Sequence, residues 1–590
     1  MKSIVALSRT GDHCSYSRYA ARTSGILQTP ETGALHGETV RLFGALLFAS
    51  AAWGGSAYYV DCAAGNDAAD GLSRATAWRS VPAISAHEFH AGDAILFRRG
   101  TQCTGTLWPK GSGTASAPIV LDAWGDGALP KIHAEPGAEA SFRLFNQEYW
   151  TVQHLEFIGG QPHGIFVSGT QGVLHGIHIR HAIVHGVTGE PQNKEGGLVV
   201  IAPGSAAQRF DDVLVEGVTA YGTSQWVGIL VGGVAYGVLP EHSRSTNVTI
   251  RNSIVHDVAG DGIVLFQVNR GTIESSVAWY TGMQQTESIG TPNGIWTWMC
   301  RQCAVRLSEA FLTDSPGVDG GAFDIDYGDD DNVVEESYGH DTQGYCVAVF
   351  GAGRTTTNSV VRRNVCAGNG RSPRLAAHQG AVFLSTWNGG RLKGVQFSEN
   401  RIFWNPPIAA PVVVSTAKFE GAAPEFDRDF IQKQPGLPPE TAPRAQMPVL
   451  PLRDAEGGPA SLSTRPGAWR LYGFVSRSGV EVAILASAYR QFHAAGLDAV
   501  LIAPNGDTEQ NSNLHWDWNL GDIAVLFDDG AATSALRVSG MPALMLVNAA
   551  GQIVWRHDGF IPPGDLGLAL RTYLGNPDYA QLISEPFSEP

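Results

Sequence analysis

Residues 248–275 read VTIRNSIVHDVAGDGIVLFQVNRGTIES, and residues 294–298 read GIWTW. Within these runs, apolar side chains alternate with other residues over four to six positions, which is typical of β-strands. Runs that begin with glycine return every 23–36 residues, at Gly164, Gly197, Gly228, Gly262, Gly294, Gly321, Gly344 and Gly380. A repeat of this length with two or three short strands indicates a solenoid, and we predict a right-handed parallel β-helix.

A second series of strands alternates with the glycine-led runs and ends in small polar residues. Its members end near Asn252, Ser275, Ser308, Ser337, Asn364 and Asn400. Asparagine tolerates the left-handed backbone region, and the side chains of Asn and Ser bond to local backbone groups. Each of these segments is therefore predicted to end in a sharp turn.

The composition limits the size of the fold and the kind of partner. The chain has 590 residues, with 71 Gly, 32 Pro and 16% charged residues. This length exceeds what one hydrophobic core fills, so several domains or a repeat array are expected. The net charge of −16 argues against a nucleic acid or an anionic membrane as partner, because such surfaces require concentrated Lys and Arg.

The N-terminal region predicts export. An apolar run over residues 42–53 follows Arg41 and is followed by small residues. It is too short to span a bilayer and has the pattern of a secretory signal, so residues 1–57 are predicted to be a leader. No other segment approaches 18 apolar residues, so no membrane span is predicted after cleavage. We expect a secreted or periplasmic protein.

The cysteines agree with an exported chain. Six of them follow the leader, and an even number is compatible with disulfides. Cys62 and Cys103 are candidates for a pair within one N-terminal cap. Cys300 and Cys303 have neither a second Cys-x-x-Cys nor a neighbouring His pair, so a local disulfide or two packed thiols are favoured over a metal site.

The segment before the repeats carries several short motifs: Tyr58-Tyr-Val-Asp, Gly65-Asn-Asp, Asp70-Gly-Leu-Ser, Ala77-Trp-Arg-Ser, Gly92-Asp-Ala-Ile-Leu-Phe and Gly111-Ser-Gly-Thr. Together with the repeats, they resemble secreted right-handed β-helix proteins of the pectate-lyase-like superfamily. The resemblance implies an N-terminal cap over residues 58–135 and a β-helix over 136–405. That superfamily includes polysaccharide lyases, glycoside hydrolases, epimerases and adhesins, so the fold alone does not define the reaction.

Two aspartates in one strand are the leading catalytic candidates. Successive side chains of a strand point to opposite faces. An alignment of the repeats on their first glycine places Phe323 and Ile325 inside, level with Val264, Phe266, Trp296 and Trp298. Asp324 and Asp326 then point outward together. Paired carboxylates can divide into an acid and a base, as glycoside hydrolysis requires.

More acidic residues follow this strand, and their roles stay open. Asp329, Asp330 and Asp331 could bind Ca²⁺ or form a solvated turn, and the turn is favoured because Asp is common there. His340 and Asp341 could supply an acid, a base or an orienting carboxylate, or could belong to another turn. Trp279, Tyr280 and Arg301 are candidate substrate-binding residues, and Trp387 belongs to a set of aromatic residues that suit a carbohydrate groove.

Three functions compete, and all involve a polysaccharide or oligosaccharide. A β-elimination lyase would require a Lys or Arg base beside a Ca²⁺-bridged uronate, but no lysine lies between Lys194 and Lys393. This favours a glycoside hydrolase over a calcium-dependent lyase. The third alternative is a non-catalytic glycan-binding envelope protein.

The C-terminal part has a different pattern. Residues 406–450 are rich in proline and are predicted to be an extended linker. Over residues 451–580, strands alternate with helical segments in an α/β arrangement. Three motifs, Leu452-Arg-Asp-Ala-Glu-Gly-Gly, Val538-Ser-Gly-Met-Pro-Ala-Leu and Asn548-Ala-Ala-Gly-Gln-Ile-Val, resemble the thioredoxin-like fold of exported thiol-disulfide oxidoreductases.

The resemblance implies a cis-proline at Pro542 but not the redox activity. Where that family carries Cys-x-x-Cys, this chain has Ser476-Arg-Ser-Gly479, and no cysteine follows Cys366. Thiol exchange by this domain is excluded, because the sulfur nucleophile is missing. We expect a binding or structural module that could dock a protein partner.

Overall fold

The structure is a computed structural model that describes residues 54–194, 196–233, 238–282, 291–404, 408, 410–433, 445–460, 468–475, 479–506, 511, 520, 522–559, 561 and 563–575. The predicted signal segment and Ser476-Arg-Ser478 lie outside these residues. Most of the described chain forms a parallel β-helix, and the C-terminal part forms a thioredoxin-like α/β domain. The predicted fold class is confirmed.

Three parallel sheets form the sides of the β-helix, and successive strands of each sheet come from successive turns. Sheet 1 contains β1 Ala57–Val60, β2 Ala94–Arg98, β4 Ile119–Trp124, β7 Trp150–Gln153, β10 Gly172–Arg180, β13 Gln208–Glu216, β16 Ser245–Arg251, β19 Val268–Glu274, β22 Ala304–Arg306, β25 Val333–Glu335, β29 Val360–Arg362, β33 Gln396–Ser398 and β36 Phe426–Asp427. Sheet 2 contains β3 Gln102–Thr104, β5 Lys131–His133, β8 Glu156–Ile158, β11 Ile183–His185, β14 Thr219–Thr223, β17 Ile254–Val258, β20 Val277–Thr281, β23 Glu309–Phe311, β26 Tyr338–His340, β30 Val365–Ala367, β34 Arg401–Trp404 and β37 Phe430–Lys433.

Sheet 3 closes each turn and carries the candidate aspartates. It contains β6 Phe142–Phe145, β9 His163–Ser168, β12 Gly197–Ile201, β15 Val227–Val231, β18 Asp261–Phe266, β21 Asn293–Trp298, β24 Gly321–Ile325, β27 Val347–Ala352, β31 Val382–Trp387 and β35 Val412–Ser415. A small additional pair is formed by β28 Thr355–Thr357 and β32 Arg391–Lys393. Apolar residues from all three sheets meet inside in one continuous core.

The β-helix extends beyond both predicted boundaries. Strands β2 and β4 already pair in parallel within residues 94–124, so the first turns lie inside the segment predicted to be a cap. At the other end, β35 pairs with β31, and residues 412–433 add a further turn where a linker was predicted. The linker prediction fails here because prolines such as Pro411 and Pro424 stand between strands, where a missing backbone donor costs no ladder bond.

The predicted turns at Asn and Ser are present, and the side chains of Ser337, Asn364 and Asn400 belong to a buried polar ladder between sheets 1 and 2. The backbone amide of Ser337 donates to Asn364 Oδ1 at 3.0 Å, and the amide of Asn364 donates to Asn400 Oδ1 at 3.0 Å. Asn252 adopts the left-handed region itself, whereas Arg363 does so directly before Asn364. Each side chain thus satisfies a backbone donor of the preceding turn.

Two cysteine pairs are bonded, Cys62–Cys103 and Cys346–Cys366. The first is the predicted candidate pair. Cys300 and Cys303 are buried free thiols, in agreement with the packed alternative, and their Sγ atoms lie 3.3–3.4 Å from the carbonyl oxygens of Leu265 and Val268. Among the residues that the structure describes, no helix is long and apolar enough to cross a membrane.

The C-terminal domain is built on a mixed sheet. Its strands are β38 Ala445–Gln446, β39 Trp469–Phe474, β40 Leu497–Pro504, β41 Ala524–Asp528, β42 Ala543–Val547 and β43 Gln552–Asp558, in the order β38-β43-β42-β39-β40-β41. The described helices of the chain are α1 Val81–Ala86, α2 Pro373–Ala376, α3 Gly479–Phe492, α4 Ala531–Ala535 and α5 Pro563–Leu574. The Met541–Pro542 peptide bond is cis, as the resemblance implies.

Helices α3 and α5 pack on the outer face of sheet 2 through polar contacts. Gln491 Nε2 donates to Glu309 Oε1, and Arg571 pairs with Asp341. The guanidinium of Arg490 lies 5.2 Å from the centre of the Trp279 ring. The thioredoxin-like domain therefore covers one side of the β-helix.

Replacement of Arg490 by alanine is expected to destabilise the packing of this domain. Arg490 is buried and provides a positive charge near Glu309, which is 1% exposed. Most single substitutions that remove a buried contact destabilise a protein by about 0.5–3 kcal/mol. Chemical denaturation followed by limited proteolysis should show earlier unfolding and faster cleavage, whereas Lys418→Ala, at an exposed position, should leave both unchanged. Equal stability of Arg490→Ala and the wild type would contradict the importance of this contact.

Candidate active site

The outer face of sheet 3 carries the two aspartates that the sequence selects. Phe323 and Ile325 belong to the core inside the β-helix. Because side chains alternate along a strand, Asp324 between them points to the outer face, and Asp326 follows on the same side. The predicted orientation of these carboxylates is therefore confirmed, and both line one pocket.

The neighbours of these aspartates differ from those predicted. Asp324 stands level with Trp296 on the preceding turn and with Ala348 on the following turn. The predicted inward placement of Trp296 is wrong, and the same holds for Val264, Phe266 and Trp298, which form an apolar cluster on the outer face. The aspartates thus lie beside aromatic rings.

The wrong prediction of which residues face inward comes from a pair of glycines, Gly320 and Gly321. Gly321 stands level with Asn293, so Ala322 occupies the position that Gly294 has on the preceding turn. Gly320 adopts a φ of 76° and adds one residue before the strand. A Cβ at Gly321 would lie 1.9 Å from the Tyr345 ring, so the second glycine is required by this close contact.

The pocket encloses about 250 Å³ and combines acidic groups with an aromatic wall. Its lining residues are Lys194, Phe266, Thr291, Asn293, Trp296, Trp298, Asp319, Asp324, Asp326, Tyr327, Phe350 and Trp387. Trp387 is 43% exposed, and its ring centre lies 5.5 Å from Phe350 and 6.0 Å from Tyr327. Aromatic surface with a few convergent polar groups is the usual composition of a small-molecule site.

Asn293 organises the floor of the pocket. Its Oδ1 accepts hydrogen bonds from the Tyr345 hydroxyl at 2.9 Å and from the Gly321 amide at 3.0 Å. These two donors fix the orientation of the side-chain amide, because a donor must face the oxygen. Asn293 Nδ2 consequently faces Asp324 and donates to its Oδ2 at 3.3 Å.

Burial raises the pKa of the acidic groups in this region. The pKa of Asp319 is raised to about 7, chiefly by desolvation, and the neighbouring charge of Asp261 adds to the effect. The pKa of Asp324 is raised well above its usual range by desolvation and then by Asp326. Desolvation also raises the pKa of Asp326, whereas Lys194 and the Tyr327 amide oppose the rise. A cluster of this kind holds protons at neutral pH.

Several of these residues were not selected from the sequence. Asp319 lies in the connection before β24, Lys194 ends a short 3₁₀ turn at Pro191–Asn193, and its Nζ donates to Thr291 Oγ1 at 2.6 Å. Asn293 and Tyr345 carry no motif. The one available signal was that Asp319 directly precedes a Gly-Gly pair within the densest acidic segment of the chain.

The three aspartates after β24 do not converge on one point. Asp329 is fully buried, and it accepts hydrogen bonds from Thr297 Oγ1 and from the Cys300 amide. Asp330 contacts Thr357, and Asp331 is exposed. The favoured prediction of a solvated turn is therefore wrong for Asp329. Within the described ranges, no group of three His, Cys, Asp or Glu side chains is arranged to hold a metal ion.

His340 and Asp341 lie on another sheet and do not join Asp324 and Asp326, so the predicted four-residue site is wrong. His340 ends β26 in sheet 2 and is completely buried. Its Nε2 lies 2.9 Å from Glu309 Oε1, and its Nδ1 lies 2.7 Å from Asp341 Oδ2. The thioredoxin-like domain covers this pair, so it is not open to a substrate.

An aromatic ladder explains the position of His340 and of Trp279. Rings on successive turns of sheet 2 stack with centres 4.5–5.8 Å apart and nearly parallel planes, in the series His185, Tyr221, His256, Trp279, Phe311 and His340. Trp279 is 3% exposed within this stack. Its predicted contact with substrate is therefore wrong, because the ring faces are already occupied.

Tyr280 and Arg301 also lie away from the pocket. Tyr280 is half-buried near the end of strand β20 in sheet 2 and packs near Trp279. Arg301 is at the surface and forms an ion pair with Glu241. Their predicted role in binding substrate is not supported at the site that contains Asp324.

No protein-family model matches the chain. The chain is 24% identical to the lacto-N-biosidase of Bifidobacterium longum subsp. longum over 379 residues, which is 47% of this chain and 24% of that relative. The chain thus spans about a quarter of the length of this curated relative.

Solved structures with a similar fold include the GH136 lacto-N-biosidase from Eubacterium ramulus. It has a TM-score of 0.50 and 19% identity, over 64% of this chain and 68% of that chain. A thioredoxin-family thiol:disulfide interchange protein from Chlorobium tepidum TLS covers 23% of this chain and 100% of its own, with 17% identity and a TM-score of 0.20. The first likeness shows that the two proteins share the β-helix fold.

Replacement of Asp329 by asparagine is expected to stabilise the protein at alkaline pH. The pKa of Asp329 is raised to about 7 by desolvation, against a usual value of 3.8. The folded state therefore binds a proton that the unfolded state releases, and wild-type stability falls as the pH rises from about 4 to about 7. Each pKa unit corresponds to about 1.4 kcal/mol.

Urea denaturation at pH 5 and pH 8 tests this expectation. Asp329→Asn should resemble the wild type at pH 5 and should be more stable at pH 8. The exposed control Asp331→Asn should show the wild-type pH dependence. The same pH dependence in Asp329→Asn and wild type would show that Asp329 is not the titrating group.

Proposed function

We propose that this chain is an exported glycoside hydrolase that cleaves a neutral oligosaccharide or polysaccharide in the pocket of sheet 3. The observation that carries this proposal is the convergence of Asp319, Asp324 and Asp326 in one aromatic-lined pocket. Glycoside hydrolysis requires a protonated carboxyl and an ionised carboxylate beside the scissile bond. The pocket offers both kinds of group.

Asp319 is the best candidate for the general acid. A pKa of about 7 keeps its carboxyl protonated in a substantial fraction of molecules at neutral pH, while it remains able to release the proton. It would protonate the oxygen of the leaving group as the glycosidic bond breaks. Lys194 and the Tyr345 hydroxyl act against the rise in this pKa.

Asp326 is the best candidate for the ionised partner. It is half-buried, its Oδ1 accepts from the Tyr327 amide at 2.7 Å, and the charge of Lys194 favours its negative form. Burial still raises the pKa of Asp326 well above its usual range. Because neighbouring carboxyls share their protons, we propose that the reactive form of the cluster carries its negative charge on Asp326. It would act on the anomeric carbon directly or through a water molecule, and the anomeric configuration of the product distinguishes the two routes.

The charge of the pocket favours an uncharged sugar. Asp261, Asp319, Asp324, Asp326 and Asp329 influence one another through space. A uronate would add another negative charge to this cluster, and like charges at close range oppose binding. This argues for the hydrolase over the lyase alternative.

Export is supported by the two disulfides, because such bonds persist in oxidising compartments. The relative and the structural neighbour are both named lacto-N-biosidases, which supports a sugar as the substrate class. A chromogenic glycoside of lacto-N-biose is therefore the first probe for this pocket.

The decisive experiment compares that glycoside and other neutral oligosaccharides with polygalacturonate and alginate. We expect release of reducing sugar from at least one neutral substrate, and no unsaturated ends from the acidic polymers. Asp319→Asn and Asp326→Asn should each lower kcat by about 10²–10⁴-fold, because a positioned acid or base contributes that much. The exposed Asp331→Asn should retain wild-type activity.

Other outcomes would separate the alternatives. Unsaturated products from an acidic polymer would identify a lyase. Glycan binding without turnover, equal in the wild type and in Asp326→Asn, would identify a binding protein. If Asp319 is the general acid, kcat should fall as the pH rises above about 7. This decrease should be absent from the pH profile of the residual activity of Asp319→Asn.

A further inference from the structure

Asp324 differs from the other two aspartates of the pocket in its position and its contacts. It is only 2% exposed, whereas Asp319 and Asp326 are partly exposed. Its Oδ2 accepts from Asn293, but its Oδ1 has no hydrogen-bond partner among the described residues. A buried polar atom without a partner is costly and requires an explanation.

The surroundings of Asp324 indicate where its proton lies. Asn293 Nδ2 is held toward Oδ2, because its own Oδ1 is occupied by Tyr345 and Gly321. A proton on Oδ2 would face another donor, so the proton of a neutral carboxyl belongs on Oδ1. The unpartnered oxygen is then a hydrogen-bond donor in the pocket.

The charges around Asp324 favour this neutral form. Asp326, Asp319, Asp329 and Asp261 all act to raise its pKa, in addition to desolvation. Trp296 and Ala348 flank it on the neighbouring strands of sheet 3, and neither brings a positive charge. Lys194 lines the same pocket, but its Nζ is bonded to Thr291.

We propose that Asp324 binds substrate as a neutral carboxylic acid, whose Oδ1–H donates to an oxygen acceptor on a sugar ring. The acceptor is a hydroxyl or an amide carbonyl oxygen of a ring substituent that reaches the floor of the pocket. Asp319 and Asp326 carry out the bond cleavage, and Asp324 selects the sugar that they act on. This inference rests on the proposed function, because it concerns the same pocket.

Two substitutions separate binding from catalysis. Asp324→Asn keeps the shape: its oxygen can accept from Asn293, and its Nδ2 can donate where Oδ1–H does. Asp324→Leu has a similar size but cannot donate. We expect Asp324→Leu to lose roughly tenfold or more in kcat/KM, the effect of one hydrogen bond, and Asp324→Asn, which can still donate, to recover most of this loss.

A catalytic carboxylate would behave differently. If Asp324 were the acid or the nucleophile, Asp324→Asn would lose about as much kcat as Asp319→Asn, and our inference would be overturned. Retained activity in Asp319→Asn and Asp326→Asn would instead overturn the proposed catalytic pair. Thermal unfolding of each variant shows whether Asp324→Leu folds.

Infrared spectroscopy tests the inference without a substrate. At pH 8, the wild type labelled with ¹³C-aspartate should show the carbonyl stretch of protonated carboxyls, and Asp324→Asn should lose the part of this band that Asp324 contributes. Asp331→Asn should keep the band. Identical spectra for the wild type and Asp324→Asn would show that Asp324 is ionised, and the proposed donor would not exist. This measurement is independent of turnover, so its failure is distinguishable from the failure of the proposed function.

Discussion

The structure depends on the parallel register that stacks each turn of the β-helix on the one before it. In this register, a given position on one turn lies directly against the same position on the next. Inward residues therefore form one continuous core, and outward residues form continuous ladders. Where a side chain packs well on the same position of the next turn, a similar residue recurs there. A residue of different chemistry at such a position is easily recognised. This constraint stabilises the β-helix and also determines which side chains meet at its sites.

The two outer faces show the two outcomes of such stacking. On sheet 2, rings from His185 to His340 stack face to face, and the thioredoxin-like domain contacts the later part of this series near Trp279 and Asp341. On sheet 3, the tryptophans of one turn are followed by the aspartates of the next, because Trp296 stands level with Asp324. A carboxyl in such a ladder is desolvated by the ring beside it. An aspartate inside a strand, as Asp324 is in β24, departs from the residue preference of β-strands, and such departures are typical of functional sites.

The sequence predicted the fold more completely than the site, for a physical reason. The alternation of apolar residues, the spacing of glycines and the turn residues are local properties, and each turn repeats them. The outward direction of Asp324 and Asp326 also follows from alternation alone. The neighbours of these residues depend on register, and the Gly320–Gly321 pair shifts it by one position. A shift of one residue exchanges the two faces of a strand in any alignment.

The remaining errors concern contacts that no local pattern encodes. Asp319 reaches the pocket from a connection outside the strands, so periodicity carries no information about it. In the sequence, His340 resembles a catalytic histidine, because it follows a glycine and precedes an aspartate. Its actual partners include Glu309, which belongs to the preceding turn. The proline-rich segment after residue 405 was assigned to a linker from composition, although its valines at 412–414 pair with β31.

A short segment connects the two faces, and it leads from a contact of the thioredoxin-like domain to the pocket of sheet 3. Asp341 is held by Arg571 of α5, and four residues later Tyr345 lies over Gly321 and donates to Asn293 at the floor of the pocket. Between them, Thr342 Oγ1 donates to the carbonyl oxygen of Gly344 at 3.0 Å and accepts from Asn369 at 2.9 Å. Because this segment is short and internally bonded, the packing of the domain on sheet 2 constrains where Tyr345 can stand. The contact between Arg571 and Asp341 is thus only four residues away from the tyrosine that orients Asn293.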